Sequence, residues 1–190
     1  MSNTDLILSA HVYKAVLTSL TEYSGNYFEI GVFNGSGTAI LGREYINKII
    51  YAIDPFIEDG HTLDASNVAC GDKMLTQKES CLANIKGLDN ILLFETTSKE
   101  FSDILTSEMI DDMNISWVTI DGSHHYEDVT IDYELAINLI NGKPGIIVFD
   151  DIAHKGVRQA YDEFVEKYKD IIEPSILVGE NIARIVRINI

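Results

Sequence analysis

The sequence predicts a doubly wound α/β domain with a mainly parallel seven-stranded sheet that ends in an antiparallel hairpin. Three observations carry this. Short apolar β-prone runs alternate with segments of helical spacing. Several of these runs stop at a glycine or an aspartate. The last two runs follow each other with no helix between them, which implies an antiparallel pair at one edge.

In chain order, Leu6 to Tyr23 places Leu6, Val12, Val16, Leu17 and Leu20 at helical spacing, and residues 1–25 read as a helical amino-terminal cap. Asn26–Ile30 is a first strand, running into Gly31, Gly35 and Gly37. Thr38–Tyr45 reads as a helix and Lys48–Ile53 as a second strand, stopped by Asp54-Pro55. Residues 56–73 are irregular and polar; a connection of that length is usually functional or disordered. Met74–Ile85 reads as a helix, Asn90–Phe94 as the third strand and Ser98–Asp112 as one helix. Ile115–Ile120, ending at Asp121, is the fourth strand. Val129–Ile140 is a helix, Gly145–Phe149 the fifth strand before Asp150-Asp151, and Val157–Tyr168 a helix. Ser175–Gly179 and Ile182–Ile190 form the closing hairpin, with its turn near Glu180-Asn181.

The whole of 1–190 reads as a single domain, long enough for a full core. No apolar stretch approaches the ~18 residues that span a bilayer. The opening MSNTDLILSAHVYKAV has no basic region and does not read as a secretory signal. Cys70 and Cys81 are too few for a disulfide framework, so a reducing, cytoplasmic setting is expected. Lys plus Arg total 14 and Asp plus Glu 30, giving a net charge of −16. Such a surface repels phosphate backbones and anionic lipid, which argues against nucleic acid and membranes as partners.

Ligands of open α/β sheets bind beyond the carboxyl ends of the strands. Glu29-Ile30-Gly31, Asp54, Asp121 and Asp150-Asp151 all fall there. Each acid alone also reads as a turn or helix-cap residue. Glu29-x-Gly31-x-x-x-Gly35-x-Gly37 lets the chain turn tightly and a ligand approach, and the next helix offers free N–H groups to an anion. The spacing departs from the dinucleotide pattern G-x-G-x-x-G, and no phosphate-binding Gly-Lys-Ser/Thr follows. It suits a ligand with an amino-acid head and an adenosine tail, whose amine Glu29 can accept. Asp54 lies where an acid commonly holds ribose hydroxyls, although an Asp-Pro turn needs no ligand.

FEIGVFNGSGT, YAIDPF, WVTIDGSHHYEDVTIDYELA and GIIVFDDIAHKGVRQAYDEF resemble the TylF/cephalosporin-hydroxylase-like group of class I methyltransferases, over about Tyr27 to Phe164. The more specific part is Asp-Gly-x-His-x-Tyr followed by Phe-Asp-Asp and Gly-Val-x-x-Ala. The resemblance implies a Rossmann-like fold, S-adenosylmethionine as cofactor, and contacts to it from Glu29, Gly31, Gly35 and Asp54, with Gly37 in the same loop. It implies that Asp121, Asp150 and Asp151 hold a divalent ion, Mg²⁺ being suited to oxygen ligands. Asp121 also faces the cofactor and is a candidate proton acceptor. Glu95-Thr96-Thr97-Ser98 stands where relatives often show Gly-Asp or Gly-Asn-Ser, so Thr97 is the candidate for the adenine contact. His124 matches the family's histidine, as a base, a partner of the acids, or a turn residue bonded to backbone. His125 stands where relatives often have a small polar residue. Tyr126 walls the cofactor pocket or simply packs, and His61 reaches the acceptor or lies exposed.

Characterised relatives include magnesium-dependent sugar O-methyltransferases. The expected reaction is therefore O-methylation of a small hydroxylated acceptor, a sugar or sugar nucleotide. A catechol or other phenol is the alternative acceptor. A nicotinamide-dependent oxidoreductase would need different glycine spacing, and no Tyr-x-x-x-Lys proton relay occurs. A non-catalytic binding module has no use for the clustered acids. Leu6–Tyr23 and Phe56–Asp72 are the segments expected to shape the acceptor pocket or to pair subunits in a homo-oligomer.

Overall fold

The computed structural model describes residues 23–57, 68–70, 73–178 and 183–189. Their elements are β1 (Asn26–Ile30), α1 (Ser36–Glu44), β2 (Ile50–Ile53), β3 (Val68–Cys70), β4 (Lys73–Leu75), α2 (Gln77–Asn84), β5 (Ile91–Phe94), α3 (Ser98–Ile104), α4 (Ser107–Met113), β6 (Ile115–Ile120), α5 (Tyr126–Ile140), β7 (Gly145–Phe149), α6 (Lys155–Tyr168), β8 (Ile176–Val178) and β9 (Ala183–Ile188).

Seven strands form one sheet in the order β5-β2-β1-β6-β7-β9-β8. β5, β2, β1, β6 and β7 pair in parallel. β9 runs antiparallel to both β7 and β8, so the expected doubly wound sheet with a closing hairpin is what the chain forms. The central strands β6 and β7 are buried along their whole length, as parallel strands covered on both faces must be. Edge strand β5 alternates half-buried and exposed.

Two apolar layers sandwich the sheet. On one face Phe28, Val118, Ile147 and Phe149 pack with Tyr133 and Phe164 from α5 and α6. On the other, Tyr27, Trp117, Ile146 and Val148 pack with Leu41 of α1. Among the described residues, no helix is long and apolar enough to cross a membrane.

Two expected helices differ in extent. The run 98–112 is two helices, because Leu105 is extended and the Thr106 hydroxyl caps α4 by accepting the Met109 N–H at 3.2 Å. The run 74–85 begins as strand β4, paired with β3, and becomes helical only at Gln77 after a Thr76–Glu79 capping box. Most of the expected cap over 1–25, most of the segment 56–73 with His61, and the turn at Glu180-Asn181 lie outside the described residues.

Thr119 ties β1 to β6 within the second of these layers. Its buried hydroxyl accepts from Tyr27 OH at 2.8 Å and from Trp117 Nε1 at 3.2 Å. Thr119→Val keeps the shape but strands two buried donors. It is expected to cost about 2–6 kcal/mol in chemical denaturation, since each orphaned group costs about 1–3 kcal/mol. Thr119→Ser is expected to keep most of the stability.

Candidate functional site

The sheet's order reverses between β1 and β6, and there the turns after the two strands interlock. Asp121 N–H donates to Ile30 O at 2.9 Å, and Gly31 N–H donates to Ile53 O at 3.0 Å. Gly31 has φ +87°, and a Cβ on it would lie 2.1 Å from the Asp121 carbonyl oxygen. Only glycine lets the loop after β1 close against the turn after β6. Gly35, at φ +73°, then opens α1, and its missing Cβ makes room for Cys81. Gly37 lies in the first turn of α1. From the same turn the Thr38 hydroxyl donates to Glu29 Oε2 at 2.5 Å, which fixes the buried Glu29 beneath the loop.

Asp54, at the end of β2, clasps this loop. Its Oδ2 accepts from the Val32 and Phe33 amides, each at 2.8 Å, and its Oδ1 accepts from the Phe56 amide at 2.7 Å. Phe33 (φ 52°) and Phe56 (φ 48°) are both left-handed, a conformation that costs energy in a bulky residue. The Asp54 carboxylate stabilises both. A carboxylate offers about four acceptor positions, so one on Oδ1 remains for a ligand hydroxyl. Asp54 thus keeps an acceptor for a ligand hydroxyl, while Glu29 lies buried beneath the loop, held by Thr38.

Beside this loop, Asp121, Asp150, Asp151, Gly122, Ser123 and His124 surround a narrow gap, floored by Ile120, Val129 and Val157. Asp150 N–H donates to Ile120 O at 3.0 Å, which ties the two strand ends together. Asp150 Oδ1 accepts the Asp151 amide at 2.8 Å. Burial, then the like charges of Asp150 and Asp151, hold the Asp121 carboxyl well above the usual carboxylate range. Burial likewise raises Asp150 to about 6. Asp151 moves the other way, because His124 Nε2 meets its Oδ2 at 3.0 Å. The same bond raises the His124 pKa. Carboxylates that repel one another while keeping free oxygens fit a divalent cation, which relieves the repulsion.

The structure therefore gathers Glu29, Gly31, Gly35, Gly37, Asp54, Asp121, His124, Asp150 and Asp151 at one edge of the sheet. Thr97 has a different local role. Its hydroxyl accepts the Glu100 N–H at 3.2 Å while Glu100 Oε2 accepts the Thr97 N–H at 3.0 Å, a capping box that starts α3. Tyr126 begins α5, and its hydroxyl donates to Glu163 of α6. His125 caps α5 and is exposed.

Two residues of this edge escape a reading of sequence alone. His154 caps α6 and stacks on His124, with centroids 4.1 Å apart and planes 26° apart. Asp132 sits on the buried side of α5 among Val129, Tyr133 and Ala136, close to Gly122. The one mark it leaves in the sequence is a charge inside an apolar helical stripe.

Comparison with known proteins agrees with this fold. A family model described as "Methyltransferase domain" matches residues 28–152. No curated protein matches the chain. Among solved structures, CalS11, a calicheamicin methyltransferase, superposes with a TM-score of 0.65 at 15% identity, covering 97% of this chain and 78% of that one. A putative caffeoyl-CoA O-methyltransferase from Staphylococcus aureus gives 0.62 at 11% identity, covering 97% and 83%. The methyltransferase domain of bacterial CtHen1-CN gives 0.60 at 11%, covering 96% and 100%. At these identities the likeness is one of fold.

Burial raises the Asp132 pKa from 3.8 to about 7, and Asp128 adds to this while a Ser98 hydrogen bond opposes it. An acid whose folded pKa is raised stabilises fully below its unfolded pKa, and that contribution is lost as pH rises through the folded value. The wild type is therefore expected to lose stability between about pH 4 and pH 7 relative to Asp132→Asn. At about 1.4 kcal/mol per pKa unit, the relative change is on the order of 4 kcal/mol. Urea denaturation of both proteins at pH 4.5 and pH 8 checks it; parallel pH profiles would refute it.

Proposed function

Because the chain belongs to the methyltransferase-domain family, we propose that it moves the methyl group of S-adenosylmethionine onto a hydroxyl of a small acceptor, a sugar or sugar nucleotide, with help from a divalent cation. The observation that carries this reading is the meeting of the loop after β1 with the acids Asp121, Asp150 and Asp151 at the point where the sheet's order reverses. A cofactor site and a polar, anionic gap then share one wall. The sugar class follows the sequence resemblance and agrees with the name of CalS11, a TDP-rhamnose 3′-O-methyltransferase.

In the proposed complex Glu29 and the loop from Gly31 to Gly37 receive the amino-acid end of the cofactor. Asp54, anchored by three amides, receives a ribose hydroxyl on Oδ1. When bound, the sulfonium supplies an electrophilic methyl group and the cation makes the acceptor hydroxyl more acidic. Methyl transfer forms the acceptor O–C bond and breaks the S–C bond, leaving one proton to be taken up. Asp121, at the end of β6 beside the loop after β1, is the carboxylate placed to take it. His124 keeps Asp151 ionised and oriented through the 3.0 Å contact. Asp121, Asp150 and Asp151 supply oxygen ligands to the cation. Much of the catalytic effect is holding the acceptor oxygen in line with the methyl group.

Thermal denaturation with S-adenosylhomocysteine tests the cofactor. At a hundred times its dissociation constant it is expected to stabilise the fold by about 2.7 kcal/mol, whereas NAD⁺ leaves it unchanged. Glu29→Ala and Asp54→Ala are expected to weaken that binding at least tenfold. Stabilisation by NAD⁺ instead would remove the methyltransferase reading.

Turnover on sugar nucleotides, with catechol for comparison, tests the acceptor. Asp151→Ala is expected to keep the S-adenosylhomocysteine shift and to lose metal-stimulated turnover. Full turnover in that variant would overturn the role given to the cation.

A further inference from the structure

We propose that Asp132 is a positioning residue for the cofactor: through Ser98 it holds the turn after β5 against the turn after β6, and so fixes the slot that receives the adenine end. The proposal rests on the reading that the chain binds S-adenosylmethionine; it is independent of the cation and of the acceptor.

The topology places the slot. The sheet runs β5-β2-β1-β6 across this region. In the proposed complex the amino-acid end lies on the loop after β1 and the ribose on Asp54 at the end of β2. A ligand that continues along the edge in the same direction next reaches the end of β5, at Glu95-Thr96-Thr97. The capping box of Thr97 and Glu100 fixes that turn to α3. What fixes α3 to the rest of the edge is tertiary.

Ser98 is the first residue of α3 and is buried. Its hydroxyl donates to the carboxylate of Asp132, on the buried side of α5, where α3 packs on α5. Asp132 is only 4% exposed. Its Oδ2 also lies against the turn after β6: a Cβ on Gly122 would stand 3.7 Å from it, and 3.6 Å from Ile30 Cγ2 at the end of β1. One carboxyl group thus stands between the start of α3 and the turn after β6, beside the strand end that carries the cofactor loop.

The chemistry of the residue argues for more than packing. Val129, Tyr133 and Ala136 share its side of α5, and no ion pair among the described residues includes it. A carboxyl group buried without a cation costs stability that an apolar side chain of similar volume does not. A local rule broken at the edge of a ligand site marks a place where function overrides stability. Valine fills the same space but cannot accept the Ser98 hydroxyl, whereas asparagine can.

Calorimetric titration of the full chain at pH 8, with S-adenosylhomocysteine and with adenosine, tests this. Asp132→Val and Ser98→Ala are each expected to weaken both ligands about tenfold, the scale of one hydrogen bond to a charged group. The double variant is expected to lose no more than either single one, because both remove the same contact. Urea denaturation is expected to find Asp132→Val at least as stable as the wild type, which separates lost placement from lost fold. Asp132→Asn is expected to bind both ligands as the wild type does. Wild-type affinity in Asp132→Val and Ser98→Ala, or an equal loss in Asp132→Asn, would overturn the proposal. So would a loss for S-adenosylhomocysteine without one for adenosine, since the defect then lies at the amino-acid end. A wild-type chain that binds neither ligand defeats the cofactor reading itself, and the proposal with it.

Discussion

The approach of Gly31 to the Asp121 carbonyl is the constraint on which the site depends. The two turns belong to neighbouring strands, and they meet closely enough that no side chain fits between them. The contact sets where Glu29 ends, where the loop turns toward α1, and where Asp121 emerges. Asp54 secures the other side of the same loop through the Val32 and Phe33 amides, and holds its own left-handed turn through the Phe56 amide. Backbone hydrogen bonds therefore shape the site before any ligand does, which is how a fold pre-organises a pocket without ordering loops at the moment of binding.

That rigidity carries an electrostatic cost. Asp121 and Asp150 are held where burial and mutual repulsion disfavour their charge, and Asp132 lies nearby in an apolar helix face. A chain selected for stability alone would fill such positions with neutral residues. His124 and His154 offset part of this around Asp151. The gap is a place where folding and chemistry make opposite demands, and local sequence rules give way at such places.

The strands were legible because they are buried on both faces, so Gly145–Phe149 reads as a continuous apolar run and Ile115–Ile120 as one broken only by Ser116 and Thr119. The acids at their ends were legible for the same reason: where a strand stops, the next residue must face the edge. The break in 98–112 was hidden because Phe101, Ile104, Met109 and Ile110 keep helical spacing across Leu105. Strand β4 was hidden because its partner is another segment, and pairing leaves no local trace. Thr97 shows the reverse. Its T-x-x-E pattern is a capping-box signature that the expectation of an adenine contact passed over, and the structure forms that box. His154 lies far along the chain from His124, and only the packing of Gly156 brings the two rings together.

The position of β9 bears on how the chain is made. It is the last of the described strands in sequence, yet it lies inside the sheet, between β7 and β8. Ile185, Val186 and Ile188 belong to the buried core. During synthesis β7 must leave the ribosome with one edge unpaired and wait for residues 183–188 to emerge. An unpaired, wholly apolar strand is a template for association with other chains. Chains stalled or cut short before Ala183 would carry that open edge, so pairing of residues 183–188 with β7 separates a closed sheet from an aggregating one.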